Sequence, residues 1–258
     1  MTLPKILMIG HSHLAALETA QMQRRASGTP ASLPITVVQL RKPAYRMTPE
    51  VPATSPEAFS PAVRELVETL QPELIVSVVA GNAHTVLSLI EHPVPFDFVM
   101  EPHQALDETR QLLPLSLVRT LLEGQMRMGL RVMRALSHLA KVPVVHLAAP
   151  PPIPSEAHIR AHPEAFAEAL ATGKVTPAAI RLKLWHLHEQ RVAEHCRELG
   201  FAQLPVPEGT QDEHGFLRPE GWNKDPAHAN AWYGERVLQQ LETHVAVLAV
   251  PSAQRATP

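Results

Sequence analysis

The sequence has a single cysteine, no long apolar run and no excess of basic residues. One cysteine, Cys196, rules out an internal disulfide and a zinc site built on cysteines. No stretch approaches the roughly 18 consecutive apolar residues of a membrane-spanning helix, and the apolar run before Gly10 is too short for the core of a signal peptide. With 23 Lys and Arg against 25 Asp and Glu, the charge does not indicate a nucleic-acid-binding surface. We therefore predict a cytoplasmic protein whose partners include neither nucleic acid nor membrane.

Proline, in contrast, is abundant, with 26 of the 258 residues. Hydrophobic residues make up 45% and charged residues 19%, which is ordinary for a protein with a packed core. The prolines therefore indicate many fixed connections rather than disorder. Five of them fall between residues 43 and 61, a stretch that is long for a loop inside a compact domain. This loop is predicted to form a functional rim.

Short apolar or β-branched runs alternate with longer stretches of helical periodicity. The runs that predict strands cover residues 5–9, 35–40, 73–80, 142–148 and 201–206. The stretches that predict helices cover residues 12–25, 61–70, 115–140, 155–172, 176–199 and 229–248. Strands separated by helices of this length form parallel sheets that are covered on both faces. The sequence therefore predicts an α/β protein, a three-layer α/β/α sandwich with a mainly parallel sheet of about five strands. We expect a single domain over residues 1–258, with a helical insertion or flank at about 155–199.

Polar residues follow the first and third predicted strands, at the sheet edge where ligands of such folds bind. Ser12 comes after a strand and opens a helix. Its hydroxyl can cap the helix, or it can act as a nucleophile whose oxyanion is stabilised by the amide of Ser12 itself. Asn82 follows Gly81 at the end of the third strand, and its side-chain amide can donate to an oxyanion or form an ordinary turn. Each residue taken alone leaves both interpretations open.

An aspartate and a histidine stand three residues apart before the last predicted helix. Asp225 can accept a hydrogen bond from the imidazole of His228, which would fix the tautomer of the ring and raise its basicity. Pro226 stiffens the spacer between them. The alternative is that Asp225 caps the helix and that His228 is an exposed side chain.

Taken together, these residues resemble the motif blocks of the SGNH hydrolases, also called the GDSL esterase and lipase family. The matching positions, in the family's order, are Gly10-His11-Ser12, Gly81-Asn82 and Asp225-Pro226-Ala227-His228. The resemblance implies a serine esterase that needs no cofactor and no metal and that cleaves or transfers the acyl group of a small ester, such as an acetylated carbohydrate. It implies Ser12 as nucleophile, His228 as general base and Asp225 as the residue that orients the base. It also implies an oxyanion hole formed by the Ser12 amide with Gly81 and Asn82.

The chain departs from the family pattern at several positions. His11 replaces the aspartate of the first block, Ala83 replaces an aspartate that often follows the asparagine, and Ala80 replaces a glycine. No glycine occurs between Gly28 and Gly81, so the family's second-block glycine, which donates an amide to the oxyanion, has no clear counterpart. Either a backbone amide of residues 41–48 takes its place, or the oxyanion hole is limited to the Ser12 amide and Asn82.

Five further residues are predicted to line the substrate pocket: His11, His84, Tyr45, Arg46 and Trp222. The two histidines lie beside the motif residues and could contact an anionic group of a substrate, whereas the other three stand in loops. A catalytically weak or inactive domain that binds a sugar or an anion in this histidine-rich pocket is the alternative function. The oligomeric state is left open.

Other histidines receive different interpretations. His13 is expected at the mouth of the same pocket as His11 and His84, but it is the weaker candidate for a substrate contact because the first helix can turn it aside. A metal site of His11, His13 and His84 is an alternative because imidazoles bind zinc. His188 and Glu189 lie in a run without the spacing of a zinc-binding helix motif, and we predict that they lie on a solvated helix face.

Overall fold

A parallel sheet of five strands forms the centre of the molecule. The computed structural model describes residues 3–28, 33–101 and 105–249. The strands, in chain order, are β1 (Ile6–Gly10), β2 (Ile35–Gln39), β3 (Leu74–Val78), β4 (Phe96–Asp97), β5 (Gln111–Leu112), β6 (Val144–Leu147) and β7 (Ala202–Leu204). The main sheet has the order β2-β1-β3-β6-β7 with every neighbouring pair parallel, and β4 with β5 forms a separate parallel pair.

Helices cover both faces of this sheet. They are α1 (Leu14–Ala26), α2 (Pro61–Leu70), α3 (Ala83–Ser88), α4 (Leu115–Leu139), α5 (Glu156–Ala161), α6 (Ala167–Thr172), α7 (Ala178–Leu199) and α8 (Ala231–Ala249). Buried residues of α1 and α8 pack on one face, and those of α2, α4 and α7 pack on the other. The predicted three-layer sandwich with a mainly parallel five-stranded sheet is confirmed.

The interior strand β1 is apolar on both sides because helices cover both faces of the sheet. All five of its residues are buried. Leu7 and Ile9 pack in the layer of α4 and α7, whereas Ile6 and Met8 pack in the layer of α1 and α8. A strand in this position needs a continuous apolar run, which the sequence ILMIG supplies. Gly10 is in register with the last residues of both β2 and β3, so the residues that follow the three strands share one edge.

Two glycines allow the chain to approach itself closely near this edge. A Cβ atom on Gly10 would lie 2.2 Å from the carbonyl oxygen of Val78. A Cβ atom on Gly234 of α8 would lie 2.2 Å from the carbonyl oxygen of Ala16 in α1. Both distances are far inside van der Waals contact, so a larger residue at either position would separate β1 from β3 or α8 from α1.

The structure differs from the sequence expectations in several places. The separate β4–β5 pair was not predicted. The six-residue helix α3 was not predicted, because so short a segment shows little periodicity. The last helix begins at Ala231 rather than at residue 229. The segment at 155–199 divides, since α5 and α6 pack on a small apolar cluster while α7 joins the main core. None of the described helices is long and apolar enough to cross a membrane.

Candidate active site

Ser12 lies in the turn between β1 and α1, at the carboxyl edge of the sheet. Two backbone hydrogen bonds close this turn, from the Leu14 amide to the His11 carbonyl (3.1 Å) and from the Ala15 amide to the Ser12 carbonyl (3.0 Å). His13, and not Ser12, occupies the N-cap position of α1, and no side chain caps this helix. Ser12 therefore does not have the capping role that was its alternative interpretation.

Asp225 and His228 form a hydrogen-bonded pair in the loop of residues 223–230, which we call the dyad loop. Asp225 Oδ1 lies 3.1 Å from His228 Nδ1 and also accepts the backbone amides of Ala227 (2.8 Å) and His228 (2.7 Å). Asp225 Oδ2 accepts a hydrogen bond from the side-chain amide of Asn223 at 2.7 Å. These bonds all join residues two or three positions apart, and they hold the carboxylate against the imidazole.

The cap of the last helix is Asn230 and not Asp225. The Oδ1 atom of Asn230 accepts the backbone amides of Trp232 (2.9 Å) and Tyr233 (3.4 Å) at the start of α8. The side-chain amide of Asn230 donates to the carbonyl of Trp222 at 2.9 Å, which holds the two ends of the dyad loop together. The alternative role of Asp225 as a helix cap is therefore not realised either.

The hydrogen bond between Asp225 and His228 fixes which nitrogen of the ring is protonated. A carboxylate only accepts, so His228 Nδ1 carries the hydrogen and Nε2 keeps a lone pair. Nε2 is buried and has no hydrogen-bond partner among the described residues. Burial acts to raise the pKa of Asp225, but hydrogen bonds from the His228 ring and the Ala227 amide, with the charge of His228, lower it to about 2. Asp225 is therefore ionised wherever an imidazole is neutral, which suits a base and its orienting carboxylate.

A groove of about 980 Å³ brings Ser12 together with Asp225 and His228. On α1 it is lined by Ala15, Ala16, Thr19, Ala20, Gln23, Arg24 and Ser27. At 1.5 Å per residue, the groove extends about 20 Å from Ser12 along this helix. Ser12 is not hydrogen-bonded to His228 Nε2, and the bond between a nucleophile and its base is often long before substrate binds.

Residues 80–84, which we call the strand-end loop, follow β3 and bring Asn82 to the same edge of the sheet. Asn82 stands at the N-cap position of α3 but its side chain makes no capping bond. Its Oδ1 atom is buried and has no partner among the described residues. An unpaired buried polar atom costs about 1–3 kcal/mol, and such atoms are typical of sites that bind a ligand or water. The backbone of Asn82 lies in the turn before α3, and its carbonyl accepts the Val86 amide at 3.1 Å, but its side chain makes no hydrogen bond that caps the helix.

Contacts from distant parts of the chain hold the strand-end loop in place. Ala80 turns the chain with a φ of +62°, a region that costs an alanine about 1–2 kcal/mol. Gly129 of α4 makes room for it, since a Cβ atom there would lie 2.4 Å from the Cβ atom of Ala80. On the other side, Nε2 of His188 in α7 donates to the Ala80 carbonyl at 2.6 Å. The position of Asn82 thus depends on α4 and α7.

His188 is buried, with 1% of its surface exposed, so the prediction of a solvated face at this part of α7 was wrong for this residue. Its Nδ1 atom lies 3.1 Å from Glu189 Oε1, and its ring packs on that of His84 with 5.1 Å between centroids. Glu189 also accepts the amide of Ala149 at 3.2 Å. The prediction failed because polar side chains can be buried where they find hydrogen-bond partners, and sequence periodicity does not show those partners.

His13, whose contact with the pocket the sequence left open, has its ring beside His228. The centroid of the His13 ring lies 4.8 Å from that of His228. A Cβ atom on Gly81 would lie 2.7 Å from Cδ2 and 2.9 Å from Nε2 of this ring. Both ring nitrogens are buried and have no partner among the described residues. Because α1 begins only at Leu14, His13 precedes the helix and is not carried to its outer face.

His84 and His11, both predicted to contact substrate, lie in different surroundings. His84 is 3% exposed, and burial with the charges of His188 and His13 keeps its pKa well below the ordinary value. Its Nδ1 atom lacks a partner among the described residues. His11 is half-buried, and burial with the charge of Arg41 lowers its pKa. Neither histidine lines the groove that contains Ser12, so a contact with substrate stays a prediction for both.

The structure does not bring Tyr45, Arg46 and Trp222 to this groove. Tyr45 packs against the apolar core on the α4 side of the sheet. Arg46 Nε donates to the Arg41 carbonyl at 3.3 Å. Trp222 Nε1 donates to the Leu217 carbonyl at 2.7 Å, and the ring packs against the apolar core on the α8 side. Each of the three has a structural contact of its own.

The metal alternative gains no support from the arrangement of the histidines. The described ranges hold no group of three or more His, Cys, Asp or Glu side chains that could bind a metal ion. Cys196 is buried in the core, and burial raises the pKa of its thiol to about 12, so it is an unreactive core side chain.

Comparison with known proteins finds similar structures but no similar sequence family. No family model and no curated protein matches the chain. A GDSL-like lipase from Bacteroides thetaiotaomicron is 12% identical, with 95% of this chain and 89% of that one covered and a TM-score of 0.46. A carbohydrate acetylesterase from Sinorhizobium meliloti is 10% identical, with 95% and 99% covered and a TM-score of 0.44. The periplasmic domain of a lipopolysaccharide acetyltransferase from Salmonella ser. Paratyphi A is 10% identical, with 95% and 84% covered and a TM-score of 0.43. The likeness concerns the fold alone, so the chemistry of this chain has to be argued from its own side chains.

Proposed function

We propose that this chain is a serine esterase that hydrolyses, or transfers, the acyl group of a small ester through an acyl-enzyme. The observation that supports this is the hydrogen-bonded Asp225–His228 pair. Nε2 of His228 has no hydrogen-bond partner in the described part of the chain, and the same groove contains Ser12. Nε2 would take the Ser12 proton as Oγ attacks the acyl carbonyl, and would then return it to the leaving alcohol. Water, or a second alcohol, would attack the acyl-enzyme with help from the same base and would regenerate Ser12.

The contacts of the predicted site residues favour this function over a structural role. A helix cap was the alternative role of Ser12, Asn82 and Asp225, and no side chain of the three makes a capping hydrogen bond. The Ser12 amide and the Asn82 side chain lie at the same sheet edge, where both could donate to the oxyanion that forms on attack. Gly81 would let the substrate approach the backbone closely.

The groove along α1 suggests the kind of alcohol that the ester contains. Thr19 and Gln23 line it on the helix, and Asn223 lines it on the dyad loop. These polar side chains and the length of about 20 Å suit a polar, extended alcohol such as a carbohydrate better than a short apolar one. An acetylated carbohydrate is therefore the substrate that we propose. Release of acetate from a panel of acetylated sugars, compared with release from p-nitrophenyl acetate, tests this preference.

Labelling of the purified protein with a fluorophosphonate tests the function itself. We expect the label on Ser12, and we expect Ser12→Ala to abolish both labelling and the hydrolysis of p-nitrophenyl acetate while the melting temperature stays nearly unchanged. Ser27→Ala, at the far end of the same groove, is the matched control and should be labelled normally. Most of the activity remaining in a clean Ser12→Ala preparation would overturn the assignment.

A binding domain without catalysis is the second candidate, and one observation favours it. The His13 ring packs on Gly81, one of the predicted oxyanion residues, which narrows the space for an acyl carbonyl. In that case the unchanged protein would be neither labelled nor active, whereas a sugar or an anion would raise its melting temperature.

A further inference from the structure

We propose that His13 is a catalytic residue of this site, a neutral imidazole that donates a hydrogen bond to the oxyanion in place of the missing second-block amide. The proposal rests on the esterase function proposed above. It concerns a residue to which the family resemblance gives no role. It also accounts for the oxyanion donor that the sequence pattern lacks.

The loop that was expected to supply the missing amide uses most of its own amides elsewhere. No glycine occurs between Gly28 and Gly81. Within residues 41–48, backbone amides already donate to backbone carbonyls at Lys42 (3.0 Å), Tyr45 (2.9 Å), Arg46 (3.5 Å) and Thr48 (2.9 Å). An amide that is held in such a bond is not available for an oxyanion. At most the amides of Arg41, Ala44 and Met47 remain in this stretch. A side chain near Ser12 and Asn82 is therefore a further candidate for the missing donor.

The His13 ring lies where such a donor is needed. It directly follows the proposed nucleophile, and the edge that contains Nε2 packs on Gly81, next to Asn82. Its other neighbour is the ring of His228, at 4.8 Å between centroids. The ring therefore lies against both His228, the proposed base, and Gly81, which precedes the proposed oxyanion donor Asn82. Its two nitrogens are buried and make no hydrogen bond of good geometry within the described part of the chain. The nearby backbone of Gly81 acts to raise the pKa of the ring, so a donor role requires the N–H to turn from Gly81 to a substrate atom.

The surroundings of His13 keep its ring neutral. The ionisable groups that face it are His228 and Asp225 from the dyad loop, His188 from α7 and His84 from α3. Burial, together with the charge of His228 and against that of Asp225, lowers the pKa of His13 to about 3. A neutral imidazole has one N–H group, which can donate to a developing oxyanion without the cost of burying a charge. Neutral histidines act as electrophiles of this kind in enzymes.

The competing explanation is that the His13 ring merely fills the space beside Gly81. The two explanations predict different effects on kcat when the ring is replaced. Loss of a donor lowers kcat and leaves KM nearly unchanged, because the bond forms fully only in the transition state. Removal of a ring that only fills space gives the substrate more room and leaves kcat unchanged or higher.

The test compares His13→Gln with His13→Met in the full chain, using p-nitrophenyl acetate as substrate. The two side chains have nearly the same length and shape, but only glutamine has an N–H donor. We expect His13→Met to lower kcat by about 10²-fold, the usual effect of losing one oxyanion donor, with KM changed by less than about threefold. We expect His13→Gln to be at least about tenfold faster than His13→Met. His138→Leu, at an exposed position of α4, is the control and should leave both constants unchanged.

The remaining outcomes separate this proposal from the esterase function. Melting temperatures of the variants are measured on the same samples, and His13→Ala serves as a further variant without a donor. Equal kcat values for the Gln and Met variants, or a higher kcat for His13→Ala than for the wild-type protein, would overturn the donor role of His13. Neither result would overturn the esterase function. An unchanged protein that neither hydrolyses the ester nor reacts with a fluorophosphonate would overturn both proposals together.

Discussion

The dyad loop and the strand-end loop bring polar groups to the same site but are held in opposite ways. In the dyad loop, Asp225 is fixed by bonds to residues two or three positions away in the chain. In the strand-end loop, Ala80 is fixed by His188, which is 108 positions away, and by the space that Gly129 of α4 leaves. A loop that is closed by its own side chains needs little help from the fold, whereas the second loop takes its shape from the helices around it.

The two loops also differ in how far their polar atoms are paired. Asp225 has four hydrogen bonds, and only Nε2 of His228 is left for a reacting group. In the strand-end loop, Asn82 Oδ1 and His84 Nδ1 are both buried and unpaired among the described residues. In the proposed mechanism the base is therefore oriented before a substrate arrives, whereas the unpaired atoms of Asn82 and His84 are open to a ligand or to water. Preorganised bases and donors of this kind account for much of enzymatic rate enhancement.

The largest expected effect separates the two members of the dyad. His228→Ala removes the proposed base and should lower kcat by about 10⁴-fold or more, whereas Asp225→Ala removes only the group that orients it and should lower kcat less. Steady-state kinetics on both variants, with a thermal melt of each sample, checks the order. An equal and complete loss in both, with lowered melting temperatures, would instead give the dyad loop a purely structural role.

Substitution of Asn82 tests whether the strand-end loop stabilises the transition state. Asn82→Ala should lower kcat by about 10²–10³-fold and leave KM nearly unchanged, because its bond to the oxyanion forms only after attack. Asn82→Asp should be at least as harmful, since it places a negative charge where another must form. A normal kcat with a lowered melting temperature would remove Asn82 from the mechanism.

His188 tests whether the strand-end loop depends on α7. His188→Leu leaves the Ala80 carbonyl without its donor and should lower the free energy of unfolding by about 1–3 kcal/mol. It should also lower kcat more than KM changes, because Asn82 loses its fixed position. His188→Gln keeps an N–H donor and serves as the matched control, with part of both losses restored. If the Leu and Gln variants behave alike in urea unfolding and in kinetics, the bond to Ala80 does not position the loop.

The smallest expected effect is a pH dependence of stability that comes from the dyad loop. The pKa of Asp225 is about 2 in the folded chain, below its ordinary value of 3.8. A carboxylate with a lowered pKa stabilises the folded state above its unfolded pKa, and this contribution is lost as the pH falls from about 4 to 2. The contribution is about 1–2 kcal/mol. Urea unfolding of the unchanged protein and of Asp225→Asn should show a difference at pH 5 that shrinks towards pH 2, and a constant difference would contradict it.

The fold class followed from the sequence because its main signals are local. The run ILMIG in β1 is apolar at every position but the glycine, which is the pattern of a strand covered on both sides, and the periodicity of α2 predicted its bounds at residues 61 and 70. The contact between Asp225 and His228 also follows from a three-residue spacing. Spacing of this kind can be read from the chain because the bonds close within one turn.

The sequence by itself determined the order of strands and helices, the place of Ser12 after a buried strand and the turn that joins Asp225 to His228. The tertiary structure alone decided the strand order of the sheet, the burial of His188 and the packing of His13 on Gly81 and His228. Those contacts join residues from about 70 to more than 200 positions apart, and they form only when the sheet and α7 are assembled. Local patterns reveal which residues can bond to their neighbours, whereas the assembled fold determines which distant side chains share a buried site.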